Sequence, residues 1–141
     1  ILAAWPDASV AYTDRDGHDP AGCQVLVLDT IGMLNKVYRW ANITYVGGGF
    51  GRSVHSLLEP AAYGVPVLFG PRHQKFPEAA GLIRAGGGFE VNDLSEVRKC
   101  LSDLGQESTR LVAGRSARHW LDRHQGATRL ILSECQAILR E

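Results

Sequence analysis

Lysine is scarce in this chain: only Lys36, Lys75 and Lys99 among fifteen basic residues, the other twelve being Arg. Net charge is missing too, because fifteen Asp and Glu balance them to +0. No global field therefore draws the protein to nucleic acid or to an anionic membrane surface. The Arg bias favours bidentate contacts with phosphate or carboxylate groups. Cysteines are few and odd in number. Cys23, Cys100 and Cys135 lie far apart, with no C-x-x-C pair and no His at ligand spacing. This excludes a disulfide framework and a zinc site, and points to reduced thiols and a cytoplasmic setting. No apolar run approaches the roughly 20 residues that span a bilayer, and no charged-then-apolar leader is visible, so no membrane segment is expected.

What is present is enough for one core. The chain has 141 residues, 45% of them hydrophobic, which is one domain's worth of material. Residues 9–13 read as a weak strand, followed by a polar, turn-rich loop over 14–22. The run Gln24-Val25-Leu26-Val27-Leu28 is continuously apolar after its first residue, as a strand covered on both faces would be. Asp29 and Thr30 then read as a helix cap. Ile31, Leu34, Val37, Tyr38 and Ala41 fall at helical spacing, predicting a helix of about ten residues. A strand over 43–46 leads into Gly47-Gly48-Gly49-Phe50-Gly51. A helix carrying Val54, Leu57, Leu58, Ala61 and Ala62 on one face follows, and then a strand over 65–69. Further helices are predicted over 76–85, 95–104, 107–123 and 127–139, with a short strand at 89–91. Asp93 and Ser95 compete as caps, and Gly86-Gly87-Gly88 ends the first of these helices. The alternation predicts an α/β fold, a doubly wound parallel sheet with right-handed crossovers that ends in several helices.

In such sheets ligands sit outside the carboxyl ends of the strands, here the loops after Leu28, Val46 and Phe69. The glycine loop can bring bare N–H groups against an anion, with the positive end of the next helix aimed at the same place and Arg52 adding donors. G-G-G-x-G is not the dinucleotide fingerprint, since it falls late in the sheet and no acidic residue ends a following strand. Glu59 is placed to accept hydrogen bonds from the two hydroxyls of a ribose. No Ser-His-Asp or Cys-His arrangement is readable, so no catalytic residue is assigned.

Three stretches together resemble a known family: Asp29-Thr30-Ile31-Gly32-Met33-Leu34, Tyr45-Val46-Gly47-Gly48-Gly49-Phe50, and His55-Ser56-Leu57-Leu58-Glu59-Pro60-Ala61-Ala62-Tyr63-Gly64-Val65-Pro66-Val67-Leu68-Phe69-Gly70-Pro71. They are similar to the C-terminal domain of bacterial 3-deoxy-D-manno-octulosonic acid (Kdo) transferases, densely over 25–91 and more thinly to Gly126-Ala127-Thr128. The resemblance implies the donor half of a two-domain GT-B glycosyltransferase that moves Kdo from CMP-Kdo to a lipid A precursor in lipopolysaccharide biosynthesis. It implies no further cofactor, and a parent enzyme at the cytoplasmic face of the inner membrane.

By that resemblance Ile31, Gly32 and Met33 contact the CMP, as do Ser56, Leu57, Leu58 and Glu59, with Gly48 and Arg52 facing the phosphate or the sugar carboxylate. Met33 stands where the family usually has Glu, and Ser56 where it usually has Asn. Backbone contacts survive the first change, and a Ser hydroxyl replaces one amide hydrogen bond at the second. The family's activating carboxylate and its acceptor site belong to an N-terminal domain that nothing here matches. A Pro-His pair of its donor domain is expected to precede Ile1, and Pro71-Arg72-His73 aligns with a later loop. Residues 1–141 are thus expected to be a nucleotide-sugar-binding domain incomplete at its N-terminal end, inactive alone. Two alternatives stay open: a GT-B transferase or epimerase using a UDP-sugar, and a non-catalytic nucleotide-binding module.

Overall fold

A computed structural model describes residues 8–17, 22–51 and 54–138. The chain divides into two compact units, Ile1–Trp40 and Ala41–Glu141. In the first, β1 (Ser9–Ala11) pairs in parallel with β2 (Val25–Val27), and a 3-10 helix, Tyr12–Gly17, follows β1. Leu26 is 55% exposed, so the buried strand expected over 24–28 is instead a short, half-covered one. The helix expected after it also shrinks, to α1 (Leu34–Val37) and a 3-10 turn, Tyr38–Trp40, with no buried residue in either. Its N-cap is Met33. Asp29 does not cap it; its carboxylate accepts hydrogen bonds from the backbone N–H (3.2 Å) and the hydroxyl of Thr13.

The second unit holds a parallel sheet in the order β3-β4-β5, formed by Thr44–Val46, Val67–Phe69 and Gly88–Glu90. β4 is central and buried throughout. Successive side chains of a strand point to opposite faces. Val67 and Phe69 accordingly join Val46, Val54, Leu57, Ala61, Leu82 and Ala117 in one core cluster, while Leu68 joins Val91, Leu104 and Ala113 in another. Both faces are covered, which is why β4 reads as an unbroken apolar run.

The helices of this unit are α2 (Leu58–Ala62), α3 (Pro77–Ala85), α4 (Leu94–Gly105), α5 (Glu107–Arg123) and α6 (Ala127–Ile138). α5 packs against α2, α3 and α4. It comes close enough to the turn that ends α2 that a Cβ on Gly114 would lie 2.0 Å from the Gly64 carbonyl oxygen. Gly86 ends α3 in the left-handed conformation, φ 79°, as the glycine triple predicts. At α4 the competition between caps goes to Asp93, whose carboxylate accepts from the Glu96 N–H at 2.9 Å. Helix α2 is far shorter than expected. Residues 54–57 are not helical although Val54 and Leu57 are buried, and the helix starts at Leu58 with Pro60 in its first turn, where its missing N–H removes no helical bond.

Candidate functional site

The register of the second sheet aligns three strand ends. Val46 pairs with Phe69, and Phe69 with Glu90, so the loops that follow these strands leave the sheet along one edge. Two of them touch backbone to backbone. A Cβ on Gly49 would lie 2.6 Å from the Gly70 nitrogen, and one on Gly70 2.6 Å from the Gly49 carbonyl carbon, so only glycine fits at either position. The contact is fastened by the Arg72 N–H donating to the Gly49 oxygen at 2.9 Å and by the Arg72 Nη1 donating to the Gly51 oxygen at 3.1 Å.

Within the glycine loop Gly48 has φ 94°, and the Gly51 N–H donates back to the Gly48 oxygen at 2.7 Å. Residues 54–57 form neither helix nor strand, and the His55 N–H donates to the Gly47 oxygen at 3.2 Å. Helix α2 begins seven residues after Gly51, so its N-terminus does not directly follow the loop, and the expected helix end behind the glycines is absent. Arg52 lies outside the described residues.

Ser56 and Glu59 are both exposed, three residues apart at the start of α2, and Leu58 beside them is 38% exposed. Leu57 differs. Its side chain is 1% exposed inside the core, so it cannot meet a ligand through that side chain, and its part is to seat the first turn of α2. In the first unit, Ile31 is fully exposed, Gly32 has φ 84°, and the half-buried Met33 accepts a hydrogen bond at its Sδ from the Thr30 hydroxyl at 3.0 Å.

A cleft of about 480 Å³ opens between Gly51 and the loop after β4, lined by Arg72, Gln74, Lys75 and Phe76. The same loop carries one member of a pair that sequence reasoning does not find. His73 is buried, its Nε2 2.5 Å from Glu90 Oε2, and its ring meets the Phe69 ring edge-on at 5.2 Å. The two residues are 17 apart in sequence. The signal for them was their placement on the same edge, one just after β4 and the other ending β5.

Among the described residues, two groups depart from their ordinary titration. The Asp29 carboxyl is lowered, chiefly by the Thr13 hydroxyl donating to it. The Cys100 thiol is raised by burial first, and then by the nearby Asp103 and Glu96 carboxylates. Neither residue lines the cleft. Among the described residues no three His, Cys, Asp or Glu side chains cluster so as to hold a metal ion, and no helix is long and apolar enough to cross a membrane.

No protein-family profile matches the chain. Individual proteins do. It is 34% identical over 131 residues to the 3-deoxy-D-manno-octulosonic acid transferase of Bordetella pertussis, covering 89% of this chain and 31% of that enzyme. The enzyme of the same name from Aquifex aeolicus is 35% identical over 82 residues, 57% of this chain and 23% of its own length. The chain thus spans about a third or less of these relatives. The crystal structure of the C-terminal CMP-Kdo binding domain of WaaA from Acinetobacter baumannii shares the fold, with a TM-score of 0.67 at 24% identity over 85% of this chain and 64% of that one.

Proposed function

Taking as premise that the chain is a relative of the Kdo transferases with the fold of their C-terminal domain, we propose that it is the donor-binding part of a glycosyltransferase that takes Kdo from CMP-Kdo. The observation that carries this is the in-register carboxyl edge of the parallel sheet. There the glycine loop and the loop after β4 interlock beside an open cleft. This is where α/β sheets hold their ligands. Glu59 accepts from the ribose hydroxyls, the Ser56 hydroxyl supplies a neighbouring hydrogen bond, and Leu58 offers apolar contact. Gly48, with no Cβ, admits a phosphate close to the backbone. Leu57 contributes only through its main chain. Ile31, Gly32 and Met33, in the first unit, carry their expected role in nucleotide binding as a separate proposal, read by the Gly32 amide alone.

In the whole enzyme an acceptor hydroxyl on a lipid A precursor, activated by a base outside this chain, attacks the anomeric carbon of the donor. The C–O bond to the nucleotide breaks and CMP leaves with the electron pair on its phosphate oxygen. Donors from this domain stabilise that charge. Residues 1–141 then bind donor and catalyse nothing by themselves. The acceptor places the parent enzyme at the cytoplasmic face of the inner membrane.

Titrating the isotope-labelled protein with CMP, deoxy-CMP and UMP tests the reading. CMP should shift the Ser56 and Glu59 amides. Removing the 2′-hydroxyl, or replacing Glu59 by Gln, should each weaken binding about tenfold, the scale of a charge-assisted hydrogen bond. Loss of the 2′-hydroxyl should matter little once Glu59→Gln is in place. Equal shifts with UMP would instead favour a UDP-sugar enzyme, and no shift with any nucleotide would overturn nucleotide binding altogether.

A further inference from the structure

The cleft beside Gly51 carries more positive charge than the fold uses. Arg72 spends Nη1 on the Gly51 carbonyl oxygen, a neutral partner that fixes the guanidinium without cancelling its charge. Lys75 lines the same cleft. Among the described residues no carboxylate pairs with either cation, and Glu90, on the same sheet edge, is engaged by His73. Gln74 donates from Nε2 to the Pro71 oxygen at 2.8 Å, which holds its amide on the loop, and Phe76 gives the cleft an apolar wall. Two cations, a tethered amide and an aromatic ring suit a small anion on a carbon skeleton rather than an inorganic ion.

We propose that Arg72 and Lys75 form a subsite for the carboxylate of the donor's sugar acid, with Arg72 as the planar, oriented partner and Lys75 as the point charge. The proposal rests on the donor reading above and adds to it. A CMP-linked sugar acid bears two anionic groups, a phosphodiester and a carboxylate, and the Gly48 turn and this cleft give each its own place. The cleft then selects for a sugar that is an acid, and rejects a neutral sugar on the same nucleotide, since such a donor would leave both cations unpaired.

The test follows the amides of Gln74, Lys75 and Phe76 in the whole protein while adding free Kdo, a neutral sugar of similar size, inorganic phosphate, or CMP. Arg72→Gln also removes the bond to Gly51, so Lys75→Gln, which breaks no hydrogen bond among the described residues, serves as the second variant. The expected result is that Kdo shifts these amides and the neutral sugar does not. Each variant should weaken Kdo about tenfold, and in Lys75→Gln, which leaves the glycine loop fastened, CMP binding should change less than twofold. Phosphate or CMP moving the same amides as strongly as Kdo would overturn the carboxylate assignment, and so would Kdo binding untouched by Lys75→Gln. CMP shifting Ser56 and Glu59 while Kdo leaves the cleft unmoved would sink this subsite and keep the donor reading. CMP failing to bind would remove the donor reading, while a Kdo response at the cleft would still establish the acid site.

Discussion

At the scale of single residues, the His73–Glu90 pair holds the loop that carries Arg72 and Lys75. The His73 ring is wedged between Phe69 and the carboxylate, while the side chain of Glu90 is 38% exposed. Partial exposure keeps the pair modest, and burial of the ring keeps it from vanishing. A double-mutant cycle with His73→Ala and Glu90→Gln, read by urea unfolding, should return a coupling of about 1 kcal/mol. Additive single effects would mean that the two are neighbours without being partners. Single residues were unevenly legible in the sequence. Glu59 stands exposed at a helix start, whereas a helix already carrying Val54 would have put it a turn or more inside. Leu57 misled, since membership of a motif does not reveal which way a side chain points, and its place in the core is a matter of packing with Phe69 and Leu82.

At the scale of elements, strand and helix order over 43–138 was readable, and so were the lengths of α3 to α6; the length of α2 was not. Buried residues three apart, such as Val54 and Leu57, satisfy a helical period and are equally well buried by a non-helical chain crossing the same core. The long helix α5 came out over the expected 107–123 because its spacing persists for several turns. What no spacing revealed is how closely it lies on α2. Gly114→Ala puts two effects in opposition. Alanine favours the helix by up to about 1 kcal/mol, whereas its methyl group would sit 2.0 Å from the Gly64 oxygen. Overlap with backbone outweighs propensity, since overpacking costs about 1–3 kcal/mol even where side chains can yield. The variant should therefore lose about 2 kcal/mol, seen as a lower urea midpoint at unchanged slope. A gain in stability would mean that α5 shifts readily along α2.

At the scale of the whole molecule, the two units differ in how much they bury. β4 is covered on both faces, while β2 leaves Leu26 more than half exposed. Amide hydrogen exchange should follow that difference, with Val67–Phe69 slower than Val25–Val27 by on the order of a hundredfold. Equal protection would mean that the chain opens only as a whole. The same contrast explains why the apolar run over 24–28 read as an interior strand: hydrophobic sequence states what could be covered, and coverage depends on partners distant in the chain. The contact between Gly49 and Gly70 has a consequence for change over generations. For a gene drifting by single base changes, each glycine closes off nearly every substitution at its own codon. Replacing both compounds the clash, so the second change offers no escape from the first. Residues as exposed as Ile31 are under no such packing constraint. The two loops of the sheet edge are therefore bound to each other's history, and this edge can acquire a new ligand only by altering the residues that flank its glycines.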